Sequence, residues 1–346
     1  MRLSIIIPFV NEYPQIIFTL QSVFNEIKNI DAEVIAIDNF CPEILEQEYE
    51  TPANICPFCY EKLDAYRTRD CGGIQVKEYS EKIPNLIFDT YTKKLSHWNS
   101  KNHGVRRWAK GSVLLFLDAH VVPSPGSIKL MLDMFEAQNP NGTYHLPLTY
   151  ILDLKKQLKY RLDVDPSRSY YGYTFAGYEP KMAAPEEVAS MSTCGMMMTR
   201  ELFDQMGGWP EELGIYGGGE NYTNFVLATM GKSKWVCPVG PLSHFAAPRG
   251  YYYNYDDFVR NRAIAVYMIT GSLHEAWNYL EHCQGNPETL REIHNSIFKA
   301  GLSEYGIMKH QEQLKDHQII DIRTWLEIMK TKGLYDGSIS KREYVS

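Results

Sequence analysis

Apolar runs alternate with amphipathic stretches through the first half of the chain. Leu3 to Phe9 is a continuous apolar run, and Gln15 to Ile27, after Asn11-Glu12, reads as an amphipathic helix. Glu33 to Ile37 is a second apolar run, closing on Asp38-Asn39. This β-α-β order predicts a right-handed parallel crossover of the kind found in doubly wound nucleotide-binding sheets, where ligands collect beyond the carboxyl ends of the strands. Val113 to Leu117, bounded by Gly111 and by downstream prolines, reads as a central parallel strand buried on both faces. A helix is expected before it within Asn99 to Lys110, another from Pro125 to about Ala137, and a strand over His145 to Tyr150. Asp163 to Pro185, rich in Tyr, Gly, Pro and Asp, reads as a long acceptor-facing loop, since loops of that length are uncommon unless functional. Leu202 to Met206 predicts a short helix. Asp256 to Thr270 predicts a longer one, with Asp256 and Asp257 suited to its positive N-terminus. Short helices follow from His274, including Pro287 to Ala300 and Ile322 to Lys330. The expected architecture is α/β: a mostly parallel sheet with helices on both faces over residues 1–270, then a helical extension over 271–346.

The candidate chemistry sits where the central strand ends, at Asp118-Ala119-His120. In extended chain, residues two apart project to the same side, so the Asp118 carboxylate and His120 imidazole can converge on one divalent ion such as Mn²⁺. Asn102-His103-Gly104 and Ala109-Lys110-Gly111 precede this pair; Gly217-Gly218-Gly219-Glu220-Asn221 and Ser243-His244-Phe245 follow it, in that order. Together these blocks resemble those of GT-A glycosyltransferases, in the Asp-x-His form of the polypeptide N-acetylgalactosaminyltransferases, over roughly Arg2 to Thr270 and most weakly from Pro42 to Asn85.

The resemblance implies a GT-A fold and a metal-dependent glycosyltransferase using a UDP-sugar, with Mn²⁺ (or Mg²⁺) held by Asp118, His120 and His244. It also implies a nucleotide site from the strand-one loop Pro8, Phe9, Asn11 and Glu12, from Asp38 as an acceptor for the uracil ring nitrogen, and from Lys101 and Asn102. Gly195, in a strand over Met191 to Thr199, would leave room for the donor sugar, with Trp209 and Gly219 beside it. Arg249, in a mobile segment, would reach the diphosphate. Catalytic roles fall to Asp118, Glu220 and Asn221. In inverting relatives a carboxylate near Glu220 acts as general base, whereas in retaining enzymes with this glycine-rich form it contacts the donor sugar. The likeness leans toward retention.

A Cys-rich insert over residues 41–75 adds a second candidate metal site. Cys56-Pro-Phe-Cys59 has thiolate-zinc spacing, and Cys41 and Cys71 could complete four ligands, the alternative being free thiols. The chain has no apolar run long enough for a bilayer and no signal-peptide pattern, which leads us to expect a soluble, cytoplasmic protein. A net charge of −7 argues against broad nucleic-acid affinity. Aromatic loops nevertheless keep a hydroxymethylated DNA base among the hydroxyl acceptors to consider, beside a glycan or protein. Two other classes stand open: a nucleotide-sugar pyrophosphorylase or hydrolase, and a non-catalytic sugar- or nucleic-acid-binding protein. Pro8 to Glu12 lacks the basic glycine-rich loop of the former, and the latter has no use for Asp118, His120 and His244 together.

Overall fold

The computed structural model describes residues 1–46, 71–138, 141–150, 157–168, 170–178, 184–245, 250–283, 286–300 and 306–337. Its first strand, β1 (Leu3–Phe9), is buried along its whole length. It pairs in parallel with β2 (Ala32–Asp38), and β2 pairs in parallel with β3 (Leu86–Thr90). On its other side β1 pairs in parallel with β4 (Val113–Phe116). Strand order therefore reverses between β1 and β4, which opens a crevice at their carboxyl ends. Alternate residues explain the apolar runs. Ile6, Leu114 and Phe116 enter one hydrophobic cluster, while Leu3, Ile5, Ile7, Val113 and Leu115 enter another on the opposite face.

Helix α1 (Gln15–Glu26) carries the chain from β1 to β2. Helices α2 (Pro42–Leu45) and α3 (Gly73–Ser80) precede β3, and α4 (His97–Arg107) precedes β4. The middle of the chain forms β5 (Val121–Pro123), α5 (Ser127–Gln138), β6 (Gly142–His145), β7 (Leu148–Tyr150), β8 (Gln157–Asp165), β9 (Tyr170–Tyr178) and β10 (Glu186–Val188). Then come β11 (Met196–Thr199), α6 (Arg200–Gln205), α7 (Gly219–Thr229), β12 (Ser233–Val236) and β13 (Leu242–His244). The eight-stranded sheet runs β10-β12-β6-β11-β4-β1-β2-β3, and a five-stranded sheet runs β5-β13-β7-β8-β9.

Two expectations are corrected. The stretch read as a long loop from Asp163 to Pro185 is largely an antiparallel hairpin, with Asp163 opposite Gly172 and Tyr160 opposite Phe175. Its Tyr and Gly content resembles loop composition, but aromatic side chains also fit a pleated surface. The strand expected over His145 to Tyr150 is split. His145 ends β6 in the large sheet, whereas Leu148 to Tyr150 belongs to the small one.

The C-terminal segment forms α8 (Tyr255–Thr270), α9 (Leu273–His282), α10 (Pro287–Ala300), α11 (Ile307–Lys315) and α12 (Ile322–Thr331). Tyr279, Leu314 and Trp325 from these helices share one continuous cluster with Phe116, Trp209 and Phe225. Among the described residues no helix is long and apolar enough to cross a membrane.

Candidate active site

The ends of β2 and β3 and the start of α4 are tied together beside the crevice. Asn39, just beyond β2, donates to the carbonyls of Tyr91 and Lys94 and accepts from the Ser96 amide. Ser96 in turn caps α4 by accepting from the Asn99 amide. This fixes where α4 starts and so places Trp98 and Lys101 beneath the carboxyl end of β4.

The cleft above them has a volume of about 390 Å³. Pro8, Phe9, Glu12, Asp118, His120, Glu220 and His244, all singled out from the sequence, line it. Asp118 and His120 leave β4, while His244 ends β13, which pairs antiparallel with β5 just beyond them. One ligand-type atom from each of Asp118, His120 and His244 lies within 4.8 Å of the others. His244 Nε2 is 3.7 Å from Asp118 Oδ2, and the two imidazole rings meet edge to face at 4.6 Å. His120 Nδ1 is 2.6 Å from Glu12 Oε1, so Nε2 is the ring nitrogen turned away from that carboxylate. Two imidazoles and a carboxylate are a ligand set that can hold a divalent metal ion.

Charges at the floor are coupled. The Lys101 ammonium is wholly buried, 3.9 Å from Asp118 Oδ1 and 4.9 Å from the centre of the Trp98 ring. Burial pushes the Asp118 carboxyl upward, but His244, Lys101 and His120 together hold it well below the ordinary range. Glu220 goes the other way. Burial raises its carboxyl, Lys101 partly opposes this, and the Asp118 charge adds to it. Glu220 accepts from Thr193 Oγ1 at 3.0 Å, with Tyr173 Oη at 3.5 Å from its other oxygen.

The glycine-rich turn before Glu220 is shaped by contact. Gly218 has φ +74 and abuts the Asn261 backbone, and a Cβ on Gly219 would lie 2.2 Å from the Trp98 ring. Asn261 clamps the turn, accepting from the Gly214 amide and donating to the Tyr216 carbonyl.

Several sequence candidates lie behind the cleft wall. Asn102 bridges the amide and carbonyl of Trp209, and Trp209 Nε1 donates to Thr223 Oγ1. Asn221 donates to the Tyr171 carbonyl. Gly195 packs against Leu146 and Leu242. Asp38 is buried and accepts from the Phe40 amide. Asn11, at φ 51, accepts from the Cys71 amide and donates to the Gly250 carbonyl. Arg249, Cys56 and Cys59 lie outside the described residues. Cys41 is buried in a small apolar cluster with Val10 and Leu95, and burial pushes its thiol up to about 11.

Sequence reasoning missed Thr193, Tyr173 and Arg262. Arg262 lines the cleft with its guanidinium 4.1 Å from the centre of the Phe258 ring. The fold brings Thr193 and Tyr173 to Glu220, and Arg262 to the Tyr173 ring in the same cleft.

Residues 74–207 match the family described as Glycosyl transferase family 2. No curated protein matches the chain. The structure is similar to GalNAc-T7 solved with UDP, GalNAc and Mn²⁺, with a TM-score of 0.67 at 15% identity over 96% of this chain. The match takes in 57% of the GalNAc-T7 chain, so the present chain spans little more than half of that protein. It is also similar to residues 1–349 of S. aureus TarS in complex with UDP, with a TM-score of 0.51 at 14% identity, covering 99% of this chain and 98% of that one. With the strand order and the crevice between β1 and β4, these likenesses establish that the chain has the GT-A fold of glycosyltransferases.

Proposed function

We propose that this chain is a metal-dependent glycosyltransferase that moves a sugar from a UDP-sugar to a hydroxyl-bearing acceptor. The observation that carries this reading is the convergence of Asp118, His120 and His244 at the mouth of the β1–β4 crevice, with Glu220 in the same cleft. A divalent cation on those three side chains would neutralise the negative charge that develops on the departing diphosphate. His244, with Lys101 behind Asp118 and His120 beside it, favours the ionised carboxylate, the form that can act as a ligand. Glu220, held by Thr193, orients the hydroxyls of the donor sugar, which favours retention at the transferred carbon. The aromatic side of the cleft, with Tyr160 stacked on Tyr173 at 4.5 Å and with Tyr216 and Phe258, suits an acceptor that presents a ring. Given the acidic chain, a glycan fits better than DNA.

The test is turnover of UDP-sugars and GDP-sugars with Mn²⁺, using oligosaccharide and hydroxymethylated DNA duplex as acceptors. Expected are EDTA-sensitive release of UDP, acceleration by a glycan, and a product of unchanged anomeric configuration by proton NMR. Turnover only with GDP-sugars would overturn the donor assignment. An inverted product would make Glu220 the general base, and acceleration by modified DNA alone would move the acceptor to that class.

A further inference from the structure

We propose that Glu12 is a positioning residue for the metal centre, acting through His120 to fix the tautomer and ring orientation of that ligand. This rests on the metal-dependent reading above. Glu12 leaves the carboxyl end of β1 and His120 that of β4, neighbouring strands in parallel register, so the fold sets the two side chains face to face. Glu12 Oε1 is 2.6 Å from His120 Nδ1, a separation at which the ring N–H donates to the carboxylate. A ring protonated at Nδ1 carries its lone pair on Nε2, and a carboxylate behind the ring fixes its tautomer and orientation.

The surroundings hold Glu12 in place. Its other oxygen, Oε2, accepts from the Val10 amide at 3.3 Å. The residue before it, Asn11, takes the left-handed conformation and is bonded to both Cys71 and Gly250. The tip of the strand-one loop is thus clamped from two sides, which fixes the backbone from which the Glu12 side chain projects. The two histidine ligands are unequal. Among the described residues His244 Nδ1 has no hydrogen-bond partner, whereas His120 has the Glu12 carboxylate behind it. Glu12 therefore links the loop beside the nucleotide site to the ion.

The test uses the full chain and Mn²⁺ alone. Ring-nitrogen NMR of ¹⁵N-histidine-labelled, metal-free protein, with the His120 signal assigned by His120→Gln, should show the Nδ1–H tautomer in the parent and in Glu12→Gln, whose amide oxygen still accepts. Glu12→Ala should lose that preference. Mn²⁺ dissociation constants from electron paramagnetic resonance should rise about 10–100-fold in Glu12→Ala, and less in Glu12→Gln. Thermal melting of each variant separates this effect from misfolding, and Glu12→Gln stands if Glu12→Ala does not fold. If the parent binds Mn²⁺ and Glu12→Ala matches it in affinity and tautomer, the positioning role is overturned while the metal site survives. If the parent binds no Mn²⁺, the metal reading falls and the proposal falls with it.

Discussion

Asp118 is held well below the ordinary carboxyl range because His244, Lys101 and His120 surround it, while for Glu220 burial outweighs the relief that Lys101 and the Thr193 hydrogen bond supply. Opposed shifts of two carboxyls in one cleft are a common mark of distinct chemical roles. His145 is a buried histidine outside the lining of that cleft. It is buried beside Ser192, donates from Nδ1 to the Ser192 carbonyl and accepts from Thr143 at Nε2. Burial pushes it down to about 3, with the Ser192 bond working against that and the nearby Lys234 charge adding to it. In the unfolded chain the same ring titrates near its ordinary value of about 6.5. As pH falls below that value, the unfolded chain gains a proton that the folded one refuses, so stability is lost down to about pH 3. The slope is at most about 1.4 kcal/mol per pH unit. Urea unfolding at pH 7, 6 and 5 should therefore show a steeper loss for the parent than for His145→Gln, and parallel curves would contradict this. The metal-type side chains were legible as residues because Asp118 and His120 form a local motif. The partnership of His120 with Glu12 spans 108 positions, and no local pattern announces it.

The glycine-rich turn entering α7 is the element on which the placement of Glu220 depends. Gly219 opens the helix, and a methyl group there would meet the Trp98 ring. Gly219→Ala should therefore destabilise the protein by roughly 1–3 kcal/mol through overpacking. It should also weaken UDP-sugar turnover by displacing Glu220. Melting and turnover measured on the same sample check both, and an unchanged melting temperature would show that Trp98 moves aside without cost. Element boundaries in the parallel half were readable because strands covered on both faces are continuous apolar runs. The β8–β9 hairpin was not. Glycines and tyrosines interrupt its alternation, and its pairing with β7 is a property of the second sheet and not of its own sequence. The aromatic side of the cleft was missed for the same reason.

At the scale of the whole molecule, one hydrophobic cluster runs from the sheet through α7 and α8 into the C-terminal helices. The turn that carries Glu220 is clamped by Asn261 of α8, and α8 in turn packs on α9 to α11. Helices α9 to α11 thereby brace α8, whose Phe258 and Arg262 line the cleft. The order of motifs along the chain was enough to suggest the GT-A fold. It could not show that β13 delivers His244 from a separate sheet, because that depends on the antiparallel pairing of β13 with β5. The central claim is that Asp118, His120 and His244 hold a divalent ion against a nucleoside diphosphate. Calorimetric titration of UDP with Mn²⁺ present, with the metal then removed by chelator, and with Asp118→Asn in place of the parent, tests it most directly. The account predicts binding by the parent that requires Mn²⁺ and is lost in Asp118→Asn. UDP binding that persists in the variant, or that is indifferent to the chelator, would contradict it.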